Sequence, residues 1–519
     1  VGIDLGTTFS ALAILNAIGK PEIVPNADGE RLTPSTIFFD EENAELIRVG
    51  IEAINSRYLN AERSVRWIKR HMGDSKYRKK IDGKRWTPVE LSSLILKKLK
   101  QECSPMESLW TTEHGEIRDA VISVPAHFDE VRRKATMDAG TMAGLNVIGI
   151  VNEPVAAALY YSTTREVSGK VLVYDLGGGT FDVTVMDVKG HQMDIVCSQG
   201  DHALGGLDFD KEILTMFEQS YREKFGAELI NSDEDRAKYE DEAEDVKKTL
   251  SRRPVAKKML YGPAGSIRVE ITREMFEQAI SSLITRTDIL LEVALEEAGV
   301  EPSRIDRVLL VGGSTRIPLV QDHLEKMFGF PPEKTVNVDE CVALGAALHA
   351  GLTMLREKPD VVSAGISRGL QDINLTDVCN HSYGTICAPI DKETGRRVIE
   401  NRIILKKNTP LPCESTQMFY TMSKGQTELE VTITQGEDTA VEYVNKIATH
   451  KLKLPPDRLA ECPIKVTYSY DVNQRMHCKF QDVESGRVLE VDFCLDQNGE
   501  MSQSDARQKA NQLDDLKVE

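Results

Sequence analysis

The chain has 519 residues and a formal net charge of −18, with 41% apolar, 28% charged and 6% aromatic residues. This is the composition of an ordinary globular protein, long enough for three or four domains. The acidic balance argues against a surface built to grip nucleic acid or anionic membrane, and no uninterrupted apolar run is long enough for a transmembrane helix. The nine cysteines form no CxxC pair and no zinc-spaced cluster with histidine. An odd count in a large chain predicts reduced thiols and a cytoplasmic setting.

The first element is a strand, glycine turn and strand, VGIDLGTTFSALAIL, over residues 1–15. Helical patterns follow at 88–100 and 129–144, with a short buried strand at 120–125 between them. The opening pattern returns at 171–188, VLVYDLGGGTFDVTVMDV. Each copy delivers an Asp, then Gly and Thr: Asp4/Gly6/Thr7 and Asp175/Gly177/Thr180. We read this as an internal repeat. A charged helical region at 208–251 presents a solvated acidic face. A helix at 273–298 places Phe276, Ile280, Leu283 and Ile284 on one face. Residues 308–320, VLLVGGSTRIPLV, read as strand, Gly-Gly turn and helix start, with Pro318 in the first helical turn. From 378 to 494 short strands and turn residues predict an all-β domain, and 501–519 returns to a helical pattern.

The glycine turns do not suit a dinucleotide fingerprint, because a strand rather than a helix follows GGGTFD. No GxxxxGK[ST] loop exists in the chain. Each turn is a β-hairpin tip where glycine lets backbone N–H groups approach an anion. The threonines add hydroxyl donors. The carboxylates suit a hydrated Mg²⁺, which takes one or two carboxylates plus phosphate oxygens. Two such hairpins facing each other would clamp a polyphosphate; a pair of purely structural hairpins is the alternative.

VGIDLGTTFS, VYDLGGGTFDVTV, VNEPVAAAL, LGGLDFD and VLLVGGSTRIP, in this order, closely resemble the seventy-kilodalton heat-shock chaperones of the DnaK type. The resemblance covers most of the chain and is strongest in the first two thirds. Within the family it is similar to the divergent HscC-like bacterial subgroup. It implies an α/β actin-like, duplicated two-lobed ATPase over 1–363, with lobes near 1–165 and 166–363. A linker at 364–377, a β-sandwich peptide-binding domain at 378–497 and the start of a helical lid at 498–519 would follow. The implied ligands are ATP or ADP with Mg²⁺, and K⁺ as a further cation.

The resemblance assigns roles residue by residue. Asp4 and Asp175 would hold Mg²⁺ through water. Gly6, Thr7, Thr8, Gly177, Gly178, Gly179 and Thr180 would form the phosphate hairpins. Lys69 matches the catalytic lysine, with Glu153, Asp182 and Thr180 completing the set that positions water. Glu244, Lys247 and Ser251 match the adenosine-binding helix; Lys248 stands where many members have Arg. Gly312, Gly313, Ser314, Arg316 and Asp339 would border adenine and ribose. Pro125 and Arg133 match a relay between the domains that ends at Ile373, Leu375 and Asp377 of the linker. Thr385, Ala388, Met422, Leu429 and Val431 would line the peptide groove, or be simple β-core.

Several departures carry expectations of their own. The linker reads DINLTD, with polar Asn374 and Thr376 where the family is apolar. At about 25 cal/mol per Å² this predicts docking weakened by a few kcal/mol. Gly149 stands where members carry an Arg that contacts the J-domain cochaperone, so stimulation by ordinary J-proteins is expected to be poor. A chain ending at Glu519 predicts fast peptide release. The implied partners are extended apolar peptides, a J-domain cochaperone and a nucleotide exchange factor. The alternatives are a nucleotide-dependent regulator of another chaperone and an actin-like small-molecule kinase.

Overall fold

The computed structural model describes all residues except 59, 115–118, 166–167, 335–336, 392, 493–508, 511–512 and 514–515, and no side chains at 103–114 and 492. Two mixed sheets are built to one plan. The first runs Asn146–Asn152, Asp119–Val124, Gly2–Asp4, Phe9–Leu15, Pro21–Ile23. The second runs Glu333–Lys334, Arg307–Val311, Ser168–Leu176, Phe181–Lys189, Gln192–Asp201. In each, the strand entering the glycine turn pairs antiparallel with its hairpin partner and parallel with a later strand. The repeat read from the two Asp/Gly/Thr motifs is therefore a repeat of topology. Residues 171–176 are apolar on both faces apart from Asp175, as a central strand covered on both sides requires.

Helices Glu153–Thr164 and Cys341–Glu357 cross between the sheets. Small residues let them approach closely. A Cβ on Gly345 would lie 1.8 Å from the Ala156 carbonyl oxygen, and one on Gly2 would lie 1.9 Å from the Ala347 nitrogen. The charged region divides into Gly206–Phe225 and Asp233–Leu250. Gly226, at φ 64°, ends the first helix in the left-handed conformation that glycine favours. Ser232 caps the second by accepting from the Asp235 backbone N–H. Arg273–Ala298 buries Phe276, Ile280 and Ile284, with Leu283 half-buried beside them.

Beyond the lobes, two four-stranded antiparallel sheets pack around Tyr383, Ile433, Tyr468 and Phe480. The linker is itself a strand. Asn374–Thr376 adds in parallel to the edge of the second lobe sheet, pairing with Gln192, Met193 and Asp194. Its two polar residues are placed differently: Asn374 is exposed and Thr376 half-buried. Ile373 is buried and Leu375 half-buried in an apolar cluster, while Asn374 points to solvent. Backbone pairing does not depend on side-chain polarity, so the ladder to Gln192, Met193 and Asp194 is open to this linker as to an apolar one.

The expected helix at 498–519 falls mostly outside the described residues. Within the described part, residues 509, 510 and 513 are helical, and only the last residues depart from the pattern: Lys517–Val518 pairs in parallel with Leu46 and Ile47. Leu513 and Val518 are buried in the first-lobe core, and Lys97 Nζ donates to the Leu513 carbonyl at 2.6 Å. The edge of Leu46–Val49 offers backbone groups that a terminal strand can satisfy, and Lys517–Val518 takes them. Among the described residues no helix is long and apolar enough to cross a membrane.

Candidate functional site

The two glycine hairpins meet tip to tip. A Cβ on Gly178 would lie 2.3 Å from Thr8 Oγ1, and one on Gly179 would lie 2.7 Å from Thr7 Oγ1. Gly6 is held from behind, with its carbonyl accepting from Ser35 Oγ at 2.8 Å and its N–H donating to Ser10 Oγ at 3.2 Å. The carbonyls of the second turn are all engaged. Gly177 accepts from Gly206 N at 3.0 Å and Ser314 Oγ at 2.9 Å. Gly178 accepts from Leu207 N at 2.8 Å, and Gly179 from Arg70 Nε at 3.1 Å. In a trans peptide the next N–H points opposite to the carbonyl. Fixing three carbonyls therefore aims the N–H groups of Gly178, Gly179 and Thr180 away from the Gly206 helix and Arg70.

Carboxylates crowd the mouth of these turns. Asp4, Asp175, Asp182 and Glu153 surround Lys69, whose ammonium pairs with Glu153. Lys69, Glu153, Asp175, Asp182 and Thr180 are all buried. Burial, then the charge of Glu153, raises the Asp4 carboxyl to about 6, against the pull of Lys69 and of a 2.9 Å hydrogen bond from Ser123 Oγ. Asp175 is raised well above the usual carboxylate range by burial and by the charges of Glu153 and Asp4. Asp182 is raised by burial, Glu153 and Asp175. Burial would lower the Lys69 ammonium, but Glu153 and Asp4 more than offset it. The site thus holds more negative charge than one lysine balances. Asp182 Oδ1 accepts from the His127 backbone N–H at 3.1 Å, whereas Oδ2 is buried without a partner. Such an oxygen suits a cation or its water.

A third wall closes the space. Gly312, at φ 80°, lets the 312–316 turn press on the second hairpin; its Cβ would lie 2.5 Å from the Leu176 carbonyl oxygen and 2.8 Å from Asp175 Oδ1. Arg316 holds Asp339 through two hydrogen bonds of 3.1 and 2.6 Å. Gly313 lies against both, with Cβ positions 3.4 Å from Arg316 Nη1 and 3.5 Å from Asp339 Oδ1. Lys247 donates to Asp210 at 2.7 Å and to the Gly206 carbonyl at 2.9 Å, at the foot of the same helix. Glu244 meets Lys248 at 2.8 Å and, across the cleft, Arg66 at 3.6 Å. Ser251 caps that helix, its hydroxyl donating to the Lys247 carbonyl at 3.1 Å.

Asn152, next in sequence to Glu153, begins a polar network that leaves the cleft. Its Oδ1 accepts from Arg133 Nη2 at 2.8 Å, and its Nδ2 donates to Asp377 at 3.3 Å. Arg133 also donates to the carbonyls of Phe128 at 2.9 Å and Ala126 at 3.1 Å, in the turn that follows Pro125. Gln474, from the β-domain, bonds both Arg133 and Asp377. Burial raises Asp377 to about 6 despite these donors. Ile373 and Leu375 flank the network on the linker strand.

The sequence reading missed the other half of this interface. Glu130 is buried and accepts from the hydroxyls of Tyr383 at 2.6 Å and Tyr470 at 2.7 Å. His381 Nε2 lies 3.1 Å from the Phe128 carbonyl, its ring 5.3 Å from that of His127. Lys407 Nζ pairs with Glu297 at 2.8 Å. The groove residues lie apart from all this, in the β-domain. Thr385 and Val431 are buried, and the Thr385 hydroxyl donates to the Thr432 carbonyl at 2.9 Å. Ala388 and Leu429 are half-buried and Met422 is exposed.

The family model described as Hsp70 protein matches residues 1–82 and 74–515. The chaperone protein DnaK of Thermotoga neapolitana is 36% identical over 496 residues, covering 94% of this chain and 79% of that protein. The chaperone proteins DnaK of Thermotoga petrophila and Thermotoga maritima match with the same identity and coverage.

Proposed function

This chain belongs to the Hsp70 family of ATP-hydrolysing chaperones, and from that membership we propose how its own residues do the work. The aimed N–H groups of Gly178, Gly179 and Thr180 bind the β- and γ-phosphates, with Gly6, Thr7 and Thr8 opposite. Glu244, Lys247 and Ser251 bind the ribose and adenine edge. Gly312, Gly313, Ser314 and the Arg316–Asp339 pair form the floor beneath them. Asp4 and Asp175 hold Mg²⁺ through water, and the carboxylate excess with the unpartnered Asp182 Oδ2 fits that ion, with K⁺ as a second occupant. Mg²⁺ supplies charge neutralisation at the phosphates when bound. Lys69, kept cationic by Glu153 and Asp4, offsets charge developing on the transferred γ-phosphoryl group. Glu153, Asp182 and Thr180 orient the attacking water.

The coupling to peptide binding rests on one observation: Glu153, at the catalytic lysine, is the sequence neighbour of Asn152, which holds Arg133 and Asp377. A shift of Glu153 on nucleotide binding is passed through one peptide unit to the contacts that dock the linker and β-domain. Docked, the β-domain releases extended apolar peptides quickly; undocked, it holds them. Thr385, Ala388, Met422, Leu429 and Val431 border the groove, with the buried Thr385 and Val431 setting its floor. A J-domain cochaperone and an exchange factor are the implied partners. A side chain at position 149 would have begun 3.7 Å from Asn473 of the docked β-domain, so the J-protein contact is recast here. Seven free cysteines among the described residues suit the reducing cytoplasm.

The test is the release rate of a fluorescent Leu-rich peptide from the full chain, in ADP and in Mg-ATP. Release at least ten-fold faster in Mg-ATP is expected, and EDTA should abolish both the acceleration and ATP turnover. Equal rates in the two nucleotides, with hydrolysis intact, would refute the coupling.

A further inference from the structure

The two glycine hairpins that face the nucleotide cleft also have far ends, and one short segment of the chain joins them. The strand Phe9–Leu15 leaves the first hairpin and ends in the 16–20 turn, closed by Asn16 N–H donating to the Lys20 carbonyl at 2.8 Å. By the internal repeat, Phe181–Lys189 leaves the second hairpin and ends at Gly190, where φ is 63°. A helix over Ala364–Leu370 sits on the first of these turns. The linker strand Asn374–Thr376 sits at the second: it pairs with Gln192, Met193 and Asp194, and Asn374 N–H donates to the His191 carbonyl at 3.0 Å.

The helix meets its turn backbone to backbone. Gly365 and Gly369, one helical turn apart, share a face. A Cβ on Gly365 would lie 2.1 Å from the Ala17 carbonyl oxygen, and one on Gly369 would lie 2.4 Å from the Ile18 carbonyl oxygen. Gly19, at φ 79°, answers from the turn, where a Cβ would lie 3.1 Å from the Ile366 carbonyl oxygen. Ser363 caps the helix by accepting from Ile366 N–H at 3.3 Å, and the buried Leu370 closes over Gly351 beside Leu15. Gln371, Asp372 and Ile373 alone separate this anchor from the linker strand. They form a turn in which Ile373 N–H donates to the Leu370 carbonyl at 3.1 Å. Such a turn spans under about 7 Å and, pulled straight, reaches roughly 11 Å, which leaves about 4 Å of slack.

We propose that residues 364–376 act as a strap of fixed length, with Gly365 and Gly369 as positioning residues that anchor it to the first hairpin's far end. This rests on the coupling proposed above. The two anchors lie on different sheets, at equivalent places behind the two phosphate turns. Nucleotide held between the near ends sets how the hairpins stand to each other, and the packed sheets carry that setting to the far ends. When the far ends part by more than the slack, one anchor must yield. The helix holds through a buried leucine and a close backbone contact, whereas the linker holds through a short ladder at a sheet edge. The linker therefore lets go first, and the β-domain leaves with it.

The test lengthens the strap and leaves both anchors intact. Two glycines are inserted after Gln371 in the full chain, and peptide release and amide exchange at 374–376 are read in ADP and in Mg-ATP. In the wild type these amides should exchange at least ten-fold more slowly in Mg-ATP than in ADP. The insertion should reduce that ratio, and the ratio of release rates, to less than three-fold, with ATP turnover and melting temperature near wild type. Gly365→Val/Gly369→Val should reduce both ratios in the same way, because it dislodges the anchor. Gln371→Gly/Asp372→Gly, as flexible as the insertion but of unchanged length, should keep both ratios near wild type. An insertion variant with wild-type ratios overturns the strap and leaves the coupling standing. Equal loss in the same-length variant also overturns it, since flexibility rather than length would then govern docking. A wild type with no nucleotide-dependent difference in either readout overturns strap and coupling together.

Discussion

Removing the two tyrosine hydroxyls at Glu130 is the sharpest perturbation of the docked state. Glu130 sits in the first turn of the Glu130–Met142 helix, fully enclosed by the β-domain. Tyr383 and Tyr470, with rings 5.8 Å apart, each donate to Oε1. Tyr→Phe keeps both rings in place and deletes only the donors. A hydrogen bond to a charged group contributes about 1.5–3 kcal/mol. Losing one should weaken docking by roughly 2 kcal/mol, on the order of 30-fold in the docking equilibrium. The assay is an inter-domain fluorescence energy-transfer pair read in Mg-ATP, with peptide release in parallel.

The pH dependence gives an independent check. Burial raises the Glu130 carboxyl, while Arg133 and the two hydroxyls pull it down. Docked Glu130 therefore holds its proton more tightly than undocked Glu130, and docking takes up a proton. Its contribution to docking is lost as pH rises through the docked pKa and regained as pH falls. The double variant pushes that pKa higher still, so its defect should shrink as pH falls. His127 and His381 act in the opposite sense, because burial keeps both neutral and acid favours their undocked forms. They are common to wild type and variant, so the difference between the two curves isolates Glu130. Glu130→Gln should remove the pH-dependent difference. Docking in Tyr383→Phe/Tyr470→Phe equal to wild type at pH 7.5 would refute the reasoning.

Lys69→Met should lower ATP turnover by at least about 100-fold, the scale set by losing one preorganised charge at a transition state. Nucleotide affinity measured by calorimetry should change only several-fold, and an unchanged turnover removes Lys69 from the chemistry. Gly205→Ala should cost more than ten-fold in ATP affinity, because its Cβ would lie 2.7 Å from the Gly179 backbone nitrogen, which cannot yield without moving the turn. Gly177→Ala meets nothing closer than 3.6 Å and should leave the melting temperature near wild type. Leu375→Ala should weaken linker docking by about 1 kcal/mol through lost apolar burial. The solvent-facing Asn374→Leu should change docking little, and a large gain there would show that the strand's period had been misread.

What could be read ahead of the structure follows the distance over which each feature is specified. A glycine hairpin is written within ten residues, since Asp4, Gly6 and Thr7 must be neighbours for the turn to work. The same holds for Asp175, Gly177 and Thr180, and so the duplicated sheets were legible from two short motifs. Lys69 was legible only through family resemblance, because a lysine among other basic residues carries no local mark of its buried pairing with Glu153. The Glu130 enclosure was out of reach. Its donors lie 253 and 340 positions away and are ordinary β-strand tyrosines until the domains meet. The linker was half legible: Asn374 and Thr376 were counted alike as lost docking surface, whereas the strand leaves Asn374 exposed and Thr376 half-buried. The terminal helix was read too far toward the end of the chain, because an open strand edge at Leu46–Val49, invisible in the local pattern, recruits Lys517–Val518. Each miss involves a partner remote in sequence. An interface that must form in one nucleotide state and dissolve in the other is built from such partners, because contacts written locally would persist in both.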